Sequence, residues 1–585
     1  MKIKIKKIVP IIIMLFMIIA YISPLLVNLN KSFTLFPKNI VQYYMTYFEC
    51  FSLRNAVIAN HQFPLWVSGY DGGINFFAFP STIYADPTSI FALFFNEIVS
   101  DKLAWAVFYI LGALSMYYLC FCVLRYNWAG SIFSSIVYTM GGYFSHLQEE
   151  SFIPVRVTLL LPLFFAFLIK AKANRVFLFF AAFVLAFISL ESALLLPVIV
   201  LFTALFVICQ KDFRFFVIYI CICLMAFLYS FFKTILTLDM FWQNVQIINK
   251  THEYIIKDAN TIGTLLYRLI FPENFGVGMY VGIVPVLICI VVCFINFKTM
   301  FNFVVCLIIA VWLSLGPNSL FDLNRALWQM PLFGGMHEVA KYYGLVIVFF
   351  MSVICGGFFS FIEKIRNRFL ADCLSCALIG FVFLNLLWFN VGYFNVFNTT
   401  LPEEKGVARD FYNILAINLH PGDESVTAPL SYFLARKNIG LLNMHQHPYL
   451  RKSSNVVPKY ILLPKYAFLV PSTRLVVLPN PEYKGEFFFL NKSLVSKVRF
   501  RPGELIFDVR SLKPDILIIN QNFDRGWKAT AGKVENHLGL LSVRFDRPLD
   551  SRVRLTFLPG NFIIGILISL LAVILSLVYL KKKRK

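Results

Sequence analysis

Long apolar runs, broken by short polar or basic segments, dominate the chain. A helix crossing the bilayer core needs about 20 mostly apolar residues. Twelve stretches qualify as predicted spans: 8–28, 103–124, 128–145, 153–169, 176–190, 192–209, 215–235, 277–297, 299–315, 343–362, 371–395 and 561–580. Val176 to Cys209 is nearly continuous, but Arg175 and Lys211 should lie on the same side, which requires an even number of crossings. Ser189, Glu191 and Ser192 therefore mark a predicted hairpin at the outer surface. The first run follows Lys2, Lys4, Lys6 and Lys7, as a signal peptide would. Its length, and the lack of a small-x-small cleavage site after it, favour a retained signal anchor.

Three intervening segments are long: 29–102, 236–276 and 396–560. The pattern divides the chain into a membrane domain over 1–395, a soluble extracytoplasmic domain over 396–560, and a final transmembrane helix with a basic tail over 561–585. The soluble segment opens with a polar stretch, Glu403 to Leu419, that reads as helix. Short strand-like runs follow at Glu486–Leu490, Lys497–Phe500, Leu505–Val509, Ile516–Ile519 and Val553–Phe557, punctuated by Pro471, Pro479, Pro481, Pro502 and Pro514. Such spacing predicts an α/β first half and a β-sandwich second half. The expected fold class is a polytopic α-helical membrane protein with about 12 transmembrane helices and this soluble domain.

Composition supports the membrane assignment. Hydrophobic residues make up 59% of the chain and charged residues 14%, against about 45–50% and about 25% in soluble domains. The net charge of +22 would suit a nucleic-acid binder, but the basic residues sit in short clusters between apolar runs, as the positive-inside rule produces. With both termini cytoplasmic, the inside segments hold Arg125, then Lys170, Lys172 and Arg175, then Lys211 and Arg214, Lys298, Lys364, Arg366 and Arg368, and the tail Lys581–Lys585. No nucleic-acid partner is expected. Eleven of the 12 cysteines lie in apolar stretches and read as small core residues. Cys50 stands apart without a partner, and 396–560 contains no cysteine at all.

Several short motifs resemble the YfhO-like family of bacterial membrane proteins, within the GT-C glycosyltransferase superfamily. They are Asp515-Ile-Leu-Ile-Ile519, Asp524-Arg-Gly526-Trp527-Lys528-Ala529, Leu555-Thr-Phe557-Leu-Pro559 with Ile563-Ile564-Gly565, the Gly-rich Gly69-Tyr70-Asp71-Gly72-Gly73, and Arg325-Ala-Leu-Trp328-Gln-Met-Pro331-Leu-Phe-Gly334. The resemblance implies a GT-C-like fold in a bacterial cytoplasmic (inner) membrane, with the soluble domain outside. Its layout places outer loops after span one, between spans three and four and after span seven, matching 29–102, 146–152 and 236–276. The implied activity is transfer of a sugar from a polyprenyl-phosphate donor to a cell-envelope glycan or lipid acceptor. The family's first-loop Asp, a few residues before a Gln, falls on Lys38 or Asn39 if Gln42 is that Gln. Neither residue can serve as a carboxylate base.

Displacement at an anomeric carbon needs a carboxylate to accept a proton and cations to hold the leaving phosphate. Glu49, Asp71 and Asp86 are the first-loop candidates for the base. For Asp71 and Asp86 turn formation is the alternative role. The adjacent Glu149 and Glu150, in the short predicted loop after span three, are catalytic candidates and also candidate ligands for a divalent cation such as Mg or Mn. Plain hydration is the alternative. Arg156, Arg325 and Lys341 are the candidate phosphate-binding cations, with interfacial snorkelling as the alternative for the loop residues. His337, Glu338, His445 and His447 lack a recognisable ligand set. Two rival functions stay open: a non-catalytic relative that binds lipid-linked glycan or scaffolds envelope assembly, and a transporter or flippase, which would need ionisable groups deep in the spans.

Overall fold

A computed structural model describes residues 2–33, 41–80, 82–150, 152–244, 246–247, 256–272, 278–330, 333, 339–394, 397–400, 410–416, 424–442, 450–451, 455–462, 477–491 and 493–584. The chain is mostly helical, with a β-rich unit near its C-terminus. Among the described residues, seven helices are long and apolar enough to cross a membrane: Ile8–Val27, Glu97–Val123, Ile153–Ala173, Phe297–Asn318, Val339–Ile362, Arg368–Phe394 and Gly560–Lys582. The molecule is a multi-pass membrane protein on that ground.

The other five expected spans fall on shorter or broken helices. Trp128–Met140 and Ile283–Ile295 have 13 residues each, Leu196–Cys209 has 14 and Val176–Glu191 has 16. Thirteen residues rise only about 20 Å, less than the roughly 30 Å hydrocarbon core. Phe213–Tyr229 and Phe231–Met240 form a pair bent by 76°. Apolar character marks these runs as lipid-compatible, but it does not reveal where the backbone breaks, at Gly141, Ser192 and Ser230.

Side-chain contacts distinguish the two ends of the bundle. At one end Lys172 pairs with Asp212 at 3.0 Å, and Lys170 donates to Tyr118 Oη at 2.6 Å. Lys170, Lys172, Arg175, Lys211 and Arg214 all lie in or beside the segments these contacts join. At the end holding the start of Glu97–Tyr118, Lys102 donates to the Asn28 and Lys31 carbonyls. Arg156 joins Asp86, Asp101 and Glu191 there. Val339–Gly356 is buried along its whole length and forms the bundle's central staff.

Part of the stretch expected to be helical, Glu403 to Leu419, is a strand instead. Tyr412–Ala416 pairs in parallel with both Ile439–Leu442 and Tyr460–Leu462; 403–409 and 417–419 lie outside the described residues. A short apolar run is ambiguous between helix and strand, and here distant partners decide it. Helix Glu424–Arg436 turns Tyr432 and Phe433 toward Tyr44 on Val41–Arg54, at ring distances of 6.0 and 5.7 Å. The second half matches the expected sandwich. Phe487–Phe489, Asp515–Asn522, Leu540–Phe545 and Lys533–His537 form one antiparallel sheet; Leu494–Arg501, Glu504–Ser511, Leu549–Phe557 and Trp527–Ala529 form the other. Phe487 of the first meets Phe507 of the second at 5.5 Å.

The Gly-rich segment joins the loop after the first helix to this β unit. Leu441 N–H donates to Gly69 O, and Asp71 N–H to Leu441 O. Asn522 Nδ2 donates to Asp71 O at 2.7 Å and Gly73 O at 3.0 Å. Gly73 has φ +98°, and a Cβ there would meet Trp66 at 2.6 Å. Trp66 packs against Trp527 at 5.4 Å and Phe557 at 4.7 Å. Segments far apart in sequence thus form one joint.

Candidate active site

Glu149 and Glu150 end a helix rather than occupying a free loop. Gly142–Glu149 begins after the break at Gly141, and its last turn places His146 on the face of both acids, as i,i+3 and i,i+4 spacing requires. His146 Nδ1 lies 3.8 Å from Glu149, and Nε2 lies 3.4 Å from Glu150. From the start of Val339–Gly356, Lys341 Nζ reaches Glu150 Oε2 at 2.7 Å and lies 4.5 Å from the Phe152 ring. Tyr143 Oη donates to Lys341 O at 2.7 Å, which pins that turn of helix. His146 and Lys341 are buried, whereas the side chains of Glu149 and Glu150 stay 30% and 20% exposed. The two acids are therefore the accessible edge of a buried cationic site.

Their environments set the acids apart. Burial would push Glu150 up, but Lys341 and His146 outweigh it and hold the carboxyl down at about 2. Burial pushes Glu149 up, and Glu150 adds to the rise while His146 opposes it. An ion-paired acid of very low pKa is a poor proton acceptor, and its raised neighbour is the better one. The cluster fits a divalent cation poorly. The Lys341 ammonium already neutralises Glu150, and among the described residues no group of three or more His, Cys, Asp or Glu side chains is arranged to hold a metal.

Three other predicted site residues converge elsewhere. Arg156 Nη2 meets Asp86 at 2.7 Å and Glu191 at 2.8 Å, and Nη1 meets Asp101 at 3.4 Å; all four side chains are at most 2% exposed. A buried guanidinium already matched by three carboxylates is poorly placed to take a phosphate as well. The expectation of phosphate binding at Arg156 meets that obstacle. Asp86 also caps Pro87–Ile90, accepting from Thr88 N and Oγ1, so its turn role and its ion pair coexist. Glu49 lies nearby on Val41–Arg54, accepting from Ile83 N at 2.9 Å and Thr82 Oγ1 at 3.2 Å. Burial raises it to about 7 against those hydrogen bonds. Lys233 donates to the carbonyls of Thr82 and Leu190 beside this cluster.

Asp71 and Arg325 belong to neither cluster in their described contacts. Asp71 occupies the left-handed region at φ 47°, in the turn against Asn522, where its backbone carries the contacts of the joint. Arg325 is exposed on Leu323–Trp328, a helix capped by Asp322. Lys38, Asn39, His337, Glu338, His445 and His447 lie outside the described residues, as does the side chain of Gln42. Glu191, expected at a hairpin at the outer surface, is fully buried, held there by its pairing with Arg156. Sequence reading passed over His146, Asp101 and Lys102. Asp101 and Lys102 carried a usable signal, since adjacent charges leading into an apolar run must be matched when buried.

No family model matches the sequence, and neither does any curated protein. Among solved structures, the chain is similar to the arabinofuranosyltransferase AftD from Mycobacteria, with a TM-score of 0.43 and 11% identity over 93% of this chain and 57% of that one. The chain thus spans somewhat over half the length of that protein, and a likeness at this level carries no argument about chemistry.

Proposed function

We propose that this protein is a GT-C-like membrane glycosyltransferase of the YfhO-like kind. In this reading it transfers a sugar from a polyprenyl-phosphate donor to an envelope glycan or lipid acceptor on the outer face of a bacterial cytoplasmic membrane. The observation that carries the reading is the partly open Glu149–Glu150–His146–Lys341 cluster. It offers a raised carboxyl as proton acceptor beside a lysine suited to a phosphate oxygen. Glu149 takes the acceptor hydroxyl proton as the new glycosidic bond forms and the bond to phosphate breaks. Lys341, oriented by Glu150, stabilises the charge on the departing phosphate. The proposal includes twelve crossings, both termini inside and residues 396–560 outside, which the charge pattern supports.

The test is sugar transfer from a labelled polyprenyl-phosphate donor in membranes carrying Glu149→Gln or Glu150→Gln. Glu149→Gln should lower transfer about 10²–10⁴-fold, the usual contribution of a general base, with expression intact. Full activity in both variants overturns the catalytic reading. A second reading, a non-catalytic glycan-binding member, is favoured by one observation: the first-loop acids Glu49 and Asp86 are both engaged in buried contacts. That reading predicts glycan binding with no transfer in the unaltered protein.

A further inference from the structure

A cleft of about 420 Å³ lies away from both ionic clusters, where three parts of the chain meet. One wall is the end of Val41–Arg54 and the turn after it. The second is the Ala435–Ile439 corner of the mixed sheet, and the third is the Phe500–Pro502 turn of the sandwich. Its size falls within the roughly 300–1,000 Å³ typical of small-ligand sites. The backbone at its edge is irregular in a particular way. Asn55–Ala59 is a π-helical turn in which Asn60 N–H donates to Asn55 O at 3.1 Å, and such turns concentrate at functional sites. Asn55, Ala56 and Asn60 all line the cleft.

The lining combines two kinds of group. Phe411 and Phe500 stack at 4.2 Å with 12° between their planes, giving a rigid aromatic wall. Asn55, Asn60 and Asn438 bring side-chain amides to the lining; Asn60 Nδ2 donates to Asn55 O at 2.8 Å and Oδ1 at 3.3 Å, and the remaining amide groups suit hydroxyls on a ring. The charged lining residues are Arg436 and Arg501, with no acid among them. Arg501 is only partly neutralised, because its partner Glu504, at 3.3 Å, is shared with Arg554. Arg436 sits over the Tyr432 ring at 5.7 Å and donates to its hydroxyl at 3.4 Å. Aromatic faces suit the C–H faces of a sugar, amides suit its hydroxyls, and surplus guanidinium suits a carboxylate or phosphate substituent.

We propose that this cleft binds an acidic oligosaccharide, and that it holds the acceptor glycan at a distance from the reacting bond. Only the acceptor role rests on the glycosyltransferase reading; binding stands on the cleft itself. The experiment measures equilibrium binding of tetragalacturonate and maltotetraose to the full chain in nanodiscs, without donor, so a failure of catalysis does not affect it. The acidic sugar should bind at least tenfold more tightly than the neutral one. Arg436→Gln should weaken it about tenfold, as loss of one charge-assisted contact would, and Arg436→Lys should recover part of that. Ala435→Trp, which fills the cleft, should abolish binding while the variant's melting curve matches the parent. No binding of the acidic sugar, equal binding of both sugars, or unchanged affinity in Arg436→Gln and Ala435→Trp overturns the proposal.

Discussion

Replacing Arg156 with methionine should strongly destabilise the helical bundle. The substitution keeps much of the side-chain volume and removes the guanidinium that meets Asp86, Asp101 and Glu191, at 2.7, 3.4 and 2.8 Å. At an effective dielectric of about 20, each pair at charge separations near 4 Å is worth about 4 kcal/mol of gross attraction. Desolvation of each ion offsets several kcal/mol of that. Lys102 and Lys233 beside the cluster offset only part of the charge left behind, and removing one partner of a buried pair costs about 3–5 kcal/mol net. That is a large share of a total stability of about 5–15 kcal/mol. The assay is equilibrium unfolding in mixed micelles followed by tryptophan fluorescence. Arg156→Lys should fall between parent and Arg156→Met, since one ammonium cannot span three carboxylates. Arg156→Met combined with Glu191→Gln should recover part of the loss by removing one uncompensated charge. The reasoning is refuted if Arg156→Met unfolds within about 0.5 kcal/mol of the parent, the ordinary range for changes away from such features. It is equally refuted if the double variant is less stable than Arg156→Met alone.

Other expectations follow from the same geometry. Glu150 is held at about 2 against a usual value of 4.5, so its contribution is present above pH 4.5 and fades as pH falls toward 2. The difference is on the order of 3 kcal/mol; acid unfolding of Lys341→Met should show a smaller component, with His146 left as the remaining partner. Gly73→Ala should destabilise the joint by about 2–4 kcal/mol, combining left-handed strain with a clash on Trp66, and faster amide exchange at Asn522 would report it. Reporter fusions after the C-terminus and near residue 480 should read opposite sides of the membrane; the same side for both refutes the charge-based topology.

Apolar run length and lysine and arginine placement were legible as a multi-pass helical chain, because lipid selects composition residue by residue. Alternation between apolar and polar positions carried the β-rich end, where each inner-facing residue such as Phe507 or Val509 must be buried. Tyr412–Ala416 was misread because its state depends on parallel partners at 439–442 and 460–462 that local pattern does not contain. The site divided in the same way. Glu149 and Glu150 stood out by adjacency, but His146 joined them only once that segment proved to be a helix rather than a loop. Lys341, a separate candidate in the sequence, joined them only through packing of Val339–Gly356 against that turn. Arg156 read as a cation open to phosphate until Asp86, Asp101 and Glu191, from three other segments, were seen to surround it. Sequence determines which charges exist and which lie near membrane edges. Only the fold decides which of them neutralise one another, because Coulomb attraction acts over a few ångströms of space and takes no account of separation along the chain.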